Sequence, residues 1–247
     1  SCRSWAKTIM VIDDLADRPH DCDLLLDTTP GRVGESYKGL VSDRCRLLLG
    51  PVYAILRDEF AMLRGDALAR REMKTTIDRV LVSFGLTDPA GATAKAVLGV
   101  LESGLRTTLE VVLSPKAPNY ERVASLACHN DDIRVFEYVY DMSKLMAQAD
   151  LALGAPGTTS WERCCLGLPT ILMVLADNQA MNAKGLALAG AAVNLGPANR
   201  LWVDDVAHAV APIAGDDAVL LSMSRSAARM CDGLGAERVV SAIMERD

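Results

Sequence analysis

Apolar and polar residues along this chain switch between a short period typical of strands and a longer one typical of helices, and each switch marks an element. Apolar runs at 8–12, 24–26 and 46–49 end in Asp13-Asp14, Asp27 and Gly50 and predict strands of a parallel sheet. A charged stretch with helical spacing at 52–73 follows Gly50-Pro51 and predicts a connecting helix with Pro51 near its start. From Arg79 the alternation becomes regular. Strands are expected at 80–84, 109–113, 133–136, 151–153, 170–174 and 192–195, with helices at about 90–102, 120–128, 142–148, 179–189, 203–213, 219–230 and 236–244. Repeated βα units of this length predict a doubly wound parallel sheet. Ligands bind such a sheet beyond the carboxyl ends of its strands, which would gather the turns at 85–88, 138–141, 154–160 and 176–179 on one edge.

The stretch LALGAPGTTSWERCCLGLP at 151–169 stands out among these units. Its apolar run breaks at Gly154, turns through Ala-Pro-Gly-Thr-Thr-Ser and resumes with helical spacing until Gly167 and Pro169. Gly157 admits close backbone approach by a ligand, and Thr158, Thr159 or Ser160 can cap the helix. The free N–H groups of its first turn suit an anion such as phosphate, with Glu162 one turn further on to bond a ribose hydroxyl pair. Gly and Thr also occur at such turns for purely local reasons, so an ordinary capped connection fits the same spacing.

Half of the 247 residues are hydrophobic, enough to supply a sizeable core. A formal charge of −6 with few aromatics argues against bulk nucleic-acid binding. No run of apolar residues long enough to span a membrane and no signal-peptide layout is visible, so a cytoplasmic protein without a membrane span is expected. The seven cysteines form no C-x-x-C pair, which disfavours zinc or a disulfide scaffold, and Cys164-Cys165 reads as two buried thiols.

Asp13-Asp14 is a conceivable metal pair, but no further acidic cluster accompanies it at useful spacing, so a polar strand end facing the crevice is expected and neither metal nor cofactor is assigned. His20, His129 and His208 lack a triad-like or G-x-S-x-G setting, which removes support for nucleophilic catalysis. His20, in a loop between Pro19 and Asp21, is the least implausible acid or base. Asp177-Asn178-Gln179 opens a helix after the strand at 170–174, and its amides can bond sugar hydroxyl or carbonyl groups without adding charge.

Four separated motifs carry a family resemblance: IDDLAD at 12–17, LGPVYAILR at 49–57, the stretch at 151–169 and CDGLGA at 231–236. Together they resemble the nucleotide-sugar hydrolases of pseudaminic acid biosynthesis, which act on UDP-2,4-diacetamido-2,4,6-trideoxy-β-L-altropyranose. More distantly the chain is similar to the peptidoglycan N-acetylglucosaminyltransferase, a two-domain GT-B enzyme with a lipid-linked acceptor. The resemblance implies a GT-B-like α/β fold, with an incomplete N-terminal Rossmann-like domain plus linker at 1–72 and a doubly wound C-terminal UDP-binding domain at 73–247.

It also implies the site. Val139 would present its backbone to uracil, Gly157, Thr158 and Thr159 would meet the phosphates, and Glu162 the ribose. Ser83, Gly85 and Thr87 match a loop near the phosphates, while Asn178 and Gln179 match the segment facing the sugar. Leu86 and Asp177 depart from the Gly and Glu that the family pattern expects there. The implied reaction is metal-free hydrolysis at the anomeric carbon with inversion and loss of UDP, with helix-terminus N–H groups holding the departing charge. The implied general base is a histidine in a Gly-rich loop, yet no G-x-G-H precedes Thr8. Residues 1–72 are therefore expected to be the later part of a domain of which roughly half or more is absent, so that activity needs the missing N-terminal segment. The alternatives are a UDP-sugar-dependent glycosyltransferase on the same fold, or a non-catalytic UDP-sugar-binding subunit of a split GT-B protein.

Overall fold

The apolar runs become strands because each can be buried from both sides. The computed structural model describes residues 2–245 and arranges them on two parallel sheets. The smaller sheet, in the order β1-β2-β3, consists of β1 (Met10–Ile12), β2 (Leu24–Asp27) and β3 (Arg46–Leu49). A single turn at Pro51–Tyr53 leads to α1 (Asp58–Glu72). The larger unit then runs β4 (Arg79–Ser83), α2 (Ala92–Glu102), β5 (Thr108–Val112), α3 (Tyr120–Cys128), β6 (Ile133–Phe136), α4 (Met142–Gln148) and β7 (Leu151–Gly154). It continues through α5 (Thr159–Cys165), β8 (Thr170–Val174), α6 (Ala180–Leu188) and β9 (Ala192–Pro197). Helices α7 (Val203–Ala214), α8 (Asp217–Met230) and α9 (Gly235–Met244) close the described chain.

The larger sheet has the order β6-β5-β4-β7-β8-β9, all parallel. Successive strands step outward from β4 toward one edge, and those from β7 toward the other. Alternate residues divide the core. Val80, Val82, Leu151, Leu153, Ile171 and Met173 pack with α2 and α7 on one face. Leu81, Ala152 and Leu172 pack with α1, α4, α5 and α6 on the opposite face. This two-sided burial of period-2 strands is the doubly wound arrangement. The α2–α7 crossing is so close that a Cβ on Gly99 would stand 2.4 Å from that of Val206.

Contacts also cross residue 72. Helix α1 contributes Phe60 and Ala67 to the core of the larger sheet. Helix α9, from the far end of the chain, covers the smaller one, where Val239 and Ala242 join Leu24, Leu26 and Leu48. The continuous helix expected over 52–73 is interrupted. A Cβ on Gly235 would lie 2.2 Å from the Ala54 carbonyl oxygen, so the backbone at 53–54 lies close against the start of α9, and Ala54 and Arg57 are extended before helix α1 begins at Asp58. No single helix among the described residues is long and apolar enough to cross a membrane.

This contact predicts a pair of opposite outcomes. Gly235→Ala has no flexible neighbour to displace and should cost about 1–3 kcal/mol, lowering Tm by roughly 2–4 °C per kcal/mol. Gly65→Ala, on the exposed side of α1 with no atom near its Cβ, should stabilise by about 0.5–1 kcal/mol through helix propensity. Thermal unfolding of the two variants checks both signs.

Candidate functional site

Neighbouring strands β4 and β7 lead their connections to opposite sides of the sheet, so a crevice opens between them at their carboxyl ends. Ser83 pairs in register with Gly154, the last residue of each strand. Above this pair lies a hollow of about 360 Å³. Ser83, Gly85, Gly157, Thr158, Thr159, Glu162 and Gln179 line it together, so the turns at 85–88, 154–160 and 176–179 meet as expected, whereas none of 138–141 lines the hollow.

The turn after β7 differs from the expected cap in detail. Neither Thr158, Thr159 nor Ser160 caps α5 with its side chain: Thr158 is already helical (φ −57°, ψ −31°) and the Ser160 hydroxyl accepts from Arg163 Nη2 at 3.0 Å. The amides of Ser160 and Trp161 are also spent within the turn, donating to the carbonyls of Gly157 and Thr158. The amides of Gly157, Thr158 and Thr159 have no acceptor among the described residues and remain for a ligand. Gly157 itself is not required by the fold, since a Cβ there would meet only Gln179 Nε2 at 3.9 Å. Gly154 is required, because a Cβ would fall 2.2 Å from Arg163 Nη1 and 2.9 Å from the Ser83 carbonyl oxygen. On the facing turn, Gly85 adopts φ +89°, a conformation that favours glycine.

Three charged side chains line the hollow: Arg57, Glu162 and Arg163. Glu162 is half-buried, and loss of hydration raises its carboxyl above the usual carboxylate range, against the opposing pull of Arg57 and Arg163. Arg163 is buried beneath the turn, where desolvation lowers its guanidinium to about 10. Its Nη2 donates to the Ala155 carbonyl at 2.6 Å and to Ser160. Arg57 is exposed, pairs with Glu59 at 2.9 Å and lies over the Phe60 ring. Sequence reasoning passed over both arginines. For Arg163 a signal was available, a lone cation set among Trp161, Cys164, Cys165 and Leu166 in a stretch that is otherwise core.

Three expected residues do not line the hollow. Thr87 is exposed, because Asp88 turns inward and its carboxylate accepts from the amides of Ala92 and Thr93 at the start of α2. Val139 is half-buried against the core that includes Val112, and it is Val112 and Met142, not Val139, that reach the hollow. Asn178 points to solvent, whereas Gln179 turns in and its Oε1 accepts from the Leu175 amide at 3.0 Å.

The other candidates fall elsewhere. Asp13 is buried at the end of β1, where its carboxylate accepts from the Ala16 amide and the Tyr37 hydroxyl. His20 Nε2 faces it at 3.6 Å, and none of the three histidines lines the hollow. Cys164 and Cys165 are buried, and burial pushes the Cys164 thiol up to about 12. The smaller sheet nevertheless reaches the site's supports: Trp161 Nε1 donates to Thr28 Oγ1 at 3.1 Å, just past the end of β2.

Comparison with known proteins agrees with this architecture. Residues 84–239 match the family described as Glycosyltransferase family 28 C-terminal domain. The chain is 25% identical over 207 residues to the spore coat polysaccharide biosynthesis protein SpsG of Bacillus subtilis, covering 83% of this chain and 60% of that protein. It is 24% identical over 173 residues to the UDP-2,4-diacetamido-2,4,6-trideoxy-beta-L-altropyranose hydrolase of Campylobacter jejuni, covering 70% of this chain and 60% of the hydrolase. It thus spans about three fifths of the length of both relatives. MurG of Acinetobacter baumannii superposes with a TM-score of 0.69 at 17% identity, over 99% of this chain and 68% of that one, and the shared fold is GT-B. With more than half of its residues within the family match, the chain belongs to the glycosyltransferase family 28 C-terminal domain family.

Proposed function

We propose that the hollow between β4 and β7 binds the UDP of a nucleotide sugar, and that the reaction served is hydrolysis of a UDP-linked diacetamido-trideoxy sugar. One observation carries this reading: the β4 turn, the β7 turn, Glu162 and Gln179 meet at the strand-order switch, with the amides of Gly157, Thr158 and Thr159 unspent. Those amides suit the diphosphate, and the half-buried Glu162 carboxylate suits the two ribose hydroxyls. The wall formed by Val112 and Met142 offers the base an apolar face. Gln179, in the turn after β8, brings a side-chain amide to the hollow that suits the sugar.

In the reaction, water attacks the anomeric carbon, the C1–O bond breaks with inversion and its electrons leave on UDP. Hydrogen-bond donors at the turn stabilise that departing charge. Likeness to the Campylobacter jejuni hydrolase supports hydrolysis over transfer. The family's description favours a second reading, transfer of the sugar to an acceptor on the same fold. Release of UDP that depends on an added acceptor would select transfer, and release to water alone would select hydrolysis.

Titration calorimetry tests the site. UDP should bind the purified chain, and a folded chain without UDP binding would remove the reading. Glu162→Gln should weaken uridine and UDP alike by about tenfold, the scale of a hydrogen bond to a charged group. Ribose hydroxyls bond the ionised carboxylate, so affinity for uridine should rise as pH increases through the raised Glu162 pKa, and the Gln variant should lose that limb. Stability runs the other way, because ionising a half-buried carboxyl costs free energy as pH rises through the same range. No imidazole lines the hollow, so turnover by this chain alone should be on the order of 10²–10⁴-fold below that of an enzyme with a positioned base, measured as UDP release. Full turnover would place the base within this chain.

A further inference from the structure

The other buried arginine, Arg71, and the half-buried Arg64 use both of their Nη atoms on backbone carbonyls, although Arg71 Nε, like that of Arg163, has no acceptor among the described residues. Both Nη atoms of Arg71 donate to the backbone carbonyls of Ala67, Met146, Ala147 and Ala149, and Arg64 donates to those of Cys165, Ala228 and Cys231. Arg163 is different. It is only 2% exposed, yet its Nη2 alone is bonded, to Ala155 O and Ser160 Oγ. Its Nε is buried without an acceptor and its Nη1 has none among the described residues, although Nη1 stands where a Cβ on Gly154 would be. No carboxylate among the described residues forms an ion pair with it. The adjacent acid, Glu162, makes neither a hydrogen bond nor an ion pair with it, although each side chain feels the other's charge.

An unpaired buried cation is costly, and good packing of an apolar side chain in its place is often no worse for stability. The position of Arg163 gives that cost a use, because the side chain lines the hollow at the switch between β4 and β7. We propose that Arg163 is a specificity-determining residue whose unmatched charge makes the hollow select ligands that carry a diphosphate over the same nucleoside without one. The inference rests on the reading of the hollow as a UDP site and adds the group that discriminates by charge. Arg163 acts on the anion from beneath the turn, as fixed positive charge in a dry setting, while its bonds to Ala155 and Ser160 hold the turn in shape. The cation persists at neutral pH, since even a guanidinium lowered to about 10 stays protonated there.

The experiment compares uridine, UMP and UDP by titration calorimetry on the wild-type chain, Arg163→Met and Arg163→Lys, with circular dichroism as the check of folding. In the wild type, affinity should climb from uridine through UMP to UDP. Arg163→Met should weaken UDP on the order of 10- to 100-fold, as expected for removing one partner of a buried charge contact, and should leave uridine within about threefold. Arg163→Lys, which keeps the charge and loses the planar fork, should recover part of the UDP affinity. An equal loss for uridine and UDP would show that Arg163 is only a strut for the turn, and an unchanged UDP affinity would remove its role altogether; either overturns the proposal. If Arg163→Met does not fold, the wild-type series and the Lys variant still decide: UDP binding no tighter than uridine overturns the proposal. A wild-type chain that binds neither would instead refute the nucleotide-site reading on which it rests.

Discussion

The pairing of β4 with β7 is the constraint on which the rest depends, and it is secured at both ends. At the amino end, Asp150 Oδ2 accepts from the amides of Asp78 and Arg79 at 2.9 Å, while Arg70 engages its other oxygen. That carboxylate ties the strand start of one unit to another some seventy residues away. At the carboxyl end, Ser83 and Gly154 close the ladder, and Gly154 leaves the space into which Arg163 fits. Register here is not free to slip, because a shift of one residue would turn Val80, Val82, Leu151 and Leu153 from one core into the other.

From that pairing the site follows by geometry. The connections after β4 and β7 diverge to opposite faces, so no backbone fills the gap above their ends, and whatever polar groups the turns carry are left facing it. The same region concentrates electrostatic cost. Glu162 and Arg163 are adjacent, both poorly hydrated, and each is displaced from its ordinary titration in the direction burial dictates. Perturbed groups gathered in one cleft are a physical mark of a working site, although ion-pair networks of purely structural purpose produce shifts too. Both Arg163 and Arg71 leave Nε without an acceptor, and what separates them is that Arg71 pairs both Nη atoms whereas Arg163 pairs only Nη2, a distinction that is geometric.

The two sheets are linked by close contacts rather than by chain continuity alone. Trp161 reaches Thr28, Gly185 accepts the close approach of Pro30, and α9 returns to cover Leu24, Leu26 and Leu48. The helix that carries Glu162 and Arg163 is therefore braced by the smaller sheet. The hollow and the relative position of the sheets share supporting atoms.

Much of the fold was legible in the residues taken alone. Strands at 46–49, 133–136 and 170–174 and helices at 120–128 and 142–148 occupy the expected positions, because an apolar run or a 3.6-residue period is a local property that any folded state must respect. The meeting of Ser83, Gly157, Glu162 and Gln179 was legible too, since parallel βα units can place their turns only on one edge. Other features depended on partners that sequence does not name. Thr158 does not cap because the turn is already helical there, and Thr87 faces away because Asp88 turns in to cap α2. The backbone at Ala54 is extended and lies close against Gly235, far along the chain, before helix α1 begins. Whether Arg163 finds an acceptor was decided by what the folded chain set around its guanidinium. Local periodicity is written into neighbouring residues, whereas the satisfaction of a buried charge is a property of everything that packs against it.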